Sequence, residues 1–169
     1  MPVDLGQLIS DRLREASDTG KGLPFPEFAK KRLKIRTKEG SIIPFRLKAV
    51  QREYYREKQK AISEGKPRKF LLLKYRRGGF TTFEQAQSYH LAVTQRRAWV
   101  ATLAHTKEST DKISMIAKLF KEEDPHLPSK DEDHTVSLNF RHTKSKFFLG
   151  TAGGKAFGRG DTLNRTHGS

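Results

Sequence analysis

Cysteine is absent from all 169 residues, which excludes disulfides and thiolate-held metals and fits a reducing compartment. Long apolar runs are missing too. None approaches the ~20 residues of a membrane-spanning helix, and Met1 to Asp18 alternates charge with apolar residues without a signal-peptide core. These absences predict a soluble, cytoplasmic chain. The histidines at 90, 105, 126, 134, 142 and 167 form no i, i+4 pair, so no zinc site is expected. No internal repeat is present. Acid is in short supply: 19 Asp and Glu face 34 Lys and Arg, a formal charge of +15 with a pI near 10.2. Such a surplus suits a polyanionic partner, most commonly nucleic acid.

What is present reads as alternating strands and helices. Val3, Leu5, Leu8, Ile9 and Leu13 recur at helical spacing, and the two prolines of Leu23 to Phe28 read as an extended linker. Leu33 to Arg36 and Ile42 to Phe45 flank Lys38-Glu-Gly-Ser41 as a hairpin. Ala49 to Ser63 reads as a helix stopped by Gly65 and Pro67, followed by a buried strand at Lys69 to Lys74. Thr81 to Thr94 is expected to be a helix, Arg97 to Leu103 a strand and Thr106 to Glu123 a second crossover helix. Thr135 to Phe140 and Lys146 to Leu149 are two short strands, before a glycine-rich stretch from Gly150 to Gly160. The acidic groups at Glu122 to Asp124 and Asp131 to Asp133 read as solvated loop. This order implies βαβ units and a mostly parallel sheet with helices on both faces. The expected divisions are an N-terminal helix and linker over 1–32 and one α/β domain over 33–169.

One turn carries chemistry. Lys74-Tyr-Arg-Arg-Gly-Gly-Phe-Thr-Thr82 sits between the expected strand and helix, the order of a phosphate-binding loop. Laid on G-x-x-x-x-G-K-[ST], Gly79 takes the second glycine and Thr81 the hydroxyl, but Lys74 stands at the first glycine and Phe80 at the lysine. Backbone N–H groups of Gly78, Gly79, Phe80, Thr81 and Thr82 and the positive helix end would hold an anion, with the Thr81 hydroxyl toward magnesium. Lys74, Arg76 and Arg77 are the cations available to replace the missing ammonium, Arg76 foremost. Gln51 offers an amide able to pair with the N6 and N7 edge of adenine. Read alone, the same turn is a Gly-Gly connection and Gln51 a solvent-facing helix residue.

The segments Pro44-Phe45 through Gln51, Leu73 through Thr82, Trp99-Val-Ala-Thr102 and Gly158-Arg-Gly-Asp-Thr-Leu-Asn164 through Ser169 resemble, in order, the N-terminal ATPase half of tailed-bacteriophage large terminases. The similarity spans roughly 33 to 169. It implies a P-loop NTPase fold of the RecA/ASCE type, incomplete in this chain, with Gln51 on adenine and residues 74–82 as a variant Walker A loop for ATP and Mg2+. Arg76 and Arg159 would be the catalytic cations, the latter at the position of a trans-acting arginine finger. The resemblance also implies double-stranded DNA, a portal protein, a small terminase subunit and a ring of like subunits as partners, in the cytoplasm of an infected bacterium. His167-Gly-Ser169 aligns just before the Walker B glutamate, so the fragment is expected to bind nucleotide without turning it over. The alternatives are a basic nucleic-acid-binding module that hydrolyses nothing and a helicase-type ATPase fragment. Lys30-Lys-Arg32, Lys34, Arg36 and Lys38 form a basic run able to follow DNA phosphates or to face water.

Overall fold

The computed structural model describes residues 22–75, 77–127, 134, 137–153 and 162–169. The helix expected over Val3 to Leu13, Arg76, Arg159 and the cluster Asp131 to Asp133 lie outside these residues.

The first element corrects the linker reading. Phe25–Arg32 is a helix, α1, with Pro24 at its N-cap and Pro26 in its first turn. Proline is tolerated there because the first N–H groups of a helix have no intrahelical acceptor. Glu27 in the first turn and Lys30, Lys31 and Arg32 in the last match the helix dipole. Its Phe25, Phe28 and Ala29 join the main core, each ring worth on the order of 2 kcal/mol. Residues 25–32 therefore share a core with those after 33.

The hairpin forms as expected: β1 (Lys34–Arg36) pairs antiparallel with β2 (Ile42–Pro44), across a turn in which Gly40 adopts φ 88°. Helix α2 (Ala49–Ser63) follows. Gly65, at φ 70°, closes it by letting the Lys66 N–H reach the Ala61 carbonyl at 2.9 Å.

Residues 69–74 form no strand. Leu71 is 93% exposed and Leu73 92%. A continuous apolar run becomes a buried strand only where ladder partners flank it, and among the described residues no strand pairs with it.

Helix α3 (Phe80–Thr94) leads into β3 (Trp99–Ala104), and α4 (Lys107–Glu123) leads on to β4 (Ser137–Phe140) and β5 (Ser145–Thr151). Thr106 caps α4 by accepting from the Ser109 N–H at 3.2 Å. With β6 (Arg165–Gly168) the strands form a sheet of order β4-β5-β3-β6. β3 is parallel to both β5 and β6, and β4 is antiparallel to β5. The chain is thus α/β, with a mostly parallel sheet and flanking helices.

Register decides which face the helices cover. Val100, Thr102 and Ala104 align with Phe147, Leu149 and Thr151 of β5, and Val100 and Thr102 with Arg165 and His167 of β6. Thr102 and His167 bond Gln85 of α3, while Thr151 meets Thr110 of α4. Among the described residues, both crossover helices therefore share one face, where two were expected. The opposite face carries Trp99, Ala101, Leu103 and Phe148, with Lys146, Asn139 and Thr166 beside them.

The core between helices and sheet is aromatic. Tyr89 lies 5.9 Å from Phe120 and 5.6 Å from Phe140, centroid to centroid, and Phe25 meets Phe83 edge-on at 5.5 Å. Asp124, expected in solvated loop, is buried here. It accepts from Arg32 Nε at 2.8 Å and Nη2 at 2.7 Å, from Tyr89 Oη at 2.9 Å and from the His126 N–H at 3.1 Å. Asp124→Ala would strand the Arg32 guanidinium in the interior. It should cost about 3–5 kcal/mol in urea-induced unfolding.

His90 gives the fold a pH dependence. Its ring packs against Phe28 at 4.5 Å, Nε2 is buried without a partner, and burial pushes its pKa down to about 4, aided by Arg32 and opposed by a bond to the Leu23 backbone. The unfolded chain binds this proton near pH 6.5 and the folded chain only near 4, so stability is full above about 6.5 and falls as pH drops toward 4. The His90 share is about 3 kcal/mol. It should vanish from the stability–pH curve of His90→Phe, leaving a smaller slope from His167, whose pKa burial also lowers.

Candidate functional site

The turn between residues 74 and 82 is built around Gly79, the N-cap of α3, held in the left-handed region at φ 75°. A non-glycine residue rarely adopts that conformation. Space is tight as well, since a Cβ on Gly79 would lie 3.0 Å from Gln51 Nε2. One on Gly78 would lie 3.1 Å from the Phe80 ring. A side chain at either position would push its neighbour by a few tenths of an ångström.

Gln51 is what approaches. Only 1% exposed, it donates through Nε2 to the Gly79 carbonyl at 3.0 Å and the Gly78 carbonyl at 3.4 Å, and its Oε1 accepts from the Lys48 N–H at 2.9 Å. The amide expected to face adenine instead clasps the turn to the start of α2. The solvent-facing reading of Gln51 is overturned by the same contacts.

Phe80, at the position where the loop pattern has lysine, points into the core. It packs edge-on against Tyr54 at 5.7 Å and Phe83 at 6.3 Å. An ammonium comes from elsewhere. Lys74 Nζ donates to Thr81 Oγ1 at 2.9 Å, in the first turn of α3, and Lys48 Nζ stands 3.9 Å from the position of a Gly79 Cβ. Lys48 is outside the set expected from the loop pattern; its only sequence signal is its place three residues before Gln51. Arg77 is exposed and also left-handed, at φ 67°. Thr82 lies in the first turn, half-buried.

The electrostatics are one-sided. No side chain caps α3, and its first turn holds no acid. A helix start carries roughly half a positive charge on unpaired N–H groups, and two ammonium groups converge on it. The arrangement can hold an anion.

Behind the turn lies a buried polar network linking α2, α3 and β6. Lys58 Nζ donates to Gln87 Oε1 at 2.8 Å and to Glu84 at 3.3 Å, and Arg165 donates to the same Glu84 and Gln87. Burial, then Arg165, lowers the Lys58 pKa. Burial, then Glu84, pushes the Tyr54 hydroxyl up to about 12. Among the described residues, no group of three His, Cys, Asp or Glu is placed to hold a metal ion.

No family model and no curated protein matches this chain.

Gly79→Ala combines a strained φ with a clash against a fully bonded amide. It should lower stability by about 1–3 kcal/mol in thermal or urea unfolding, and the double variant Gly79→Ala/Gln51→Ala should recover part of that loss.

Proposed function

We propose that this chain is the ATPase part of a tailed-bacteriophage large terminase subunit, of P-loop type, binding Mg-ATP at residues 74–82 and serving translocation of double-stranded DNA into a procapsid. The observation that carries this reading is the convergence of Lys74 and Lys48 on an uncapped, acid-free helix start. A cation at that end of a helix is unfavourable unless an anion lies between, and phosphate groups are the anions that helix N-termini commonly hold. In this reading Lys74 supplies the ammonium that Phe80 displaces. Gln51 sets the loop and reaches adenine only by releasing a carbonyl, and the Thr81 hydroxyl turns from Lys74 to magnesium. Arg76 remains a second phosphate cation, and Arg159 a finger toward a neighbouring subunit of a ring. The portal, the small terminase subunit and the infected host's cytoplasm belong to the same proposal.

One observation favours a second reading, a basic nucleic-acid-binding module without hydrolysis: the segment that should feed the loop as a strand is exposed and unpaired at Leu71 and Leu73.

Calorimetric titration with Mg-ATP separates the two. Lys74→Ala should weaken binding by about tenfold or more, as expected for losing a charge-assisted hydrogen bond, Arg76→Ala should weaken it too, and Lys60→Ala should leave it unchanged. Absence of binding by the unaltered chain, or equal effects at 74 and 60, rejects the nucleotide site.

A further inference from the structure

At the other end of α3, about 22 Å away for 15 residues at 1.5 Å each, two turns meet. The turn from α3 to β3 carries Arg96 and Arg97, the turn from β4 to β5 carries Arg141 and Lys144, and Lys146 is the second residue of β5; all five are exposed. Neither turn contains an acid.

Hydrogen bonds lock the turns together. The Arg97 N–H donates to the Thr143 carbonyl at 2.7 Å and the Lys146 N–H to the Ala98 carbonyl at 3.0 Å. Ser145 Oγ accepts from the Ala98 N–H at 2.9 Å and donates to the Gln95 carbonyl at 2.8 Å. Buried Thr143 donates to the Ala92 carbonyl at 2.7 Å, and His142 Nε2 lies 3.1 Å from the Val93 carbonyl. The lock holds Arg97 at φ 57° and Lys144 at φ 56°, a conformation that arginine and lysine rarely adopt and that is usually left to glycine or asparagine. Beside the turns an open groove of about 440 Å³ is lined by Asn139, Phe140, Arg141, Lys144, Ser145 and Lys146.

From this geometry we propose that the paired turns form a binding surface for the phosphodiester backbone of duplex DNA, with Arg96, Arg97, Lys144 and Lys146 as phosphate contacts and Arg141 at the groove. Charge complementarity supplies the attraction, and the cross-linked backbone fixes the cations in advance, which suits a stiff duplex. Single strands are instead gripped by exposed aromatic platforms. The nearby Trp99 is no such platform, because its ring packs against Phe148 at 5.8 Å and carries the Lys146 ammonium 5.6 Å above it. The surface is independent of the nucleotide site, at the opposite end of α3.

Fluorescence anisotropy of a labelled duplex, followed over a salt series with the full chain, tests it. Arg97→Gly/Lys144→Gly relieves both strained residues, so thermal melting should hold or rise, while duplex affinity falls about tenfold or more at low salt and the salt slope shrinks by about 2, near 0.9 for each phosphate no longer neutralised. Arg97→Asn/Lys144→Asn, with asparagine tolerating the same backbone, should behave alike if the glycines loosen the turns. A folded variant with unchanged affinity and slope overturns the proposal. So does an equal loss in Lys60→Gln/Lys107→Gln, which removes two charges elsewhere, or tighter binding of the single strand than of the duplex. Lys74→Ala should leave duplex binding in place, so this surface and the nucleotide site can fail separately.

Discussion

A carboxylate sealed from water holds the helical layer together. The Asp124 side chain is wholly buried, and a charge in that position is tolerable only when its lone pairs are filled. Four donors fill them, from α1, α3 and the residue two places on. Because α1 leads directly into the hairpin and the hairpin into α2, the position of α1 sets where α2 begins. The start of α2 holds Lys48 and Gln51. The Gly79 turn is therefore held between two fixed bodies, α3 below it and α2 beside it, and the clasp from Gln51 is as firm as the Asp124 cluster that positions its helix.

The network of Lys58, Glu84, Gln87 and Arg165 ties the same two helices to the sheet. Glu84 faces two cations and Gln87 accepts from both, so neither polar side chain enters the interior unbonded. Further along, Gln85 bridges Thr102 and His167. Helix α3 is thus polar toward β6, aromatic toward α1, α4 and β4, and both toward α2, where Tyr54 meets Phe80 and Phe83. It is enclosed on all these sides, and its buried polar groups fix its rotation as well as its depth.

Much of this was legible in the sequence because it depends on short-range rules. Gly40, Gly65 and the 3.6-residue pattern of Ile113, Ala117 and Phe120 place the hairpin, the stop of α2 and the buried stripe of α4 close to where they lie. Two errors came from local signals overridden by context. Pro24 and Pro26 read as linker, yet a helix start accommodates both. Phe70 to Leu73 read as a buried strand, yet apolar character cannot supply ladder partners. At the candidate site, residues singled out in the sequence lie side by side: Gln51 bonds the Gly79 carbonyl and Lys74 the Thr81 hydroxyl. The sequence did not anticipate that the Gln51 amide bonds the loop itself, nor that Asp124 is buried, because side-chain hydrogen bonds over long separations leave no periodic trace.

The two ends of α3 differ in a way that separates their roles. At its C-terminus the macrodipole is negative, and Arg96 and Arg97 follow in the next turn, on the side of the helix that favours cations. That end is at rest without a ligand, and DNA meeting it would gain from charges already in place. At the N-terminus the same arithmetic changes sign. Lys74 and Lys48 approach the positive end with no acid in the first turn, where the dipole disfavours a cation. A surface lysine unconstrained by function would swing into water at little cost in entropy; Lys74 instead bonds the Thr81 hydroxyl. Bound negative charge would relieve that repulsion and keep both ammonium groups in place, which favours an anion at the Gly79 turn whatever the fate of the strand expected before it.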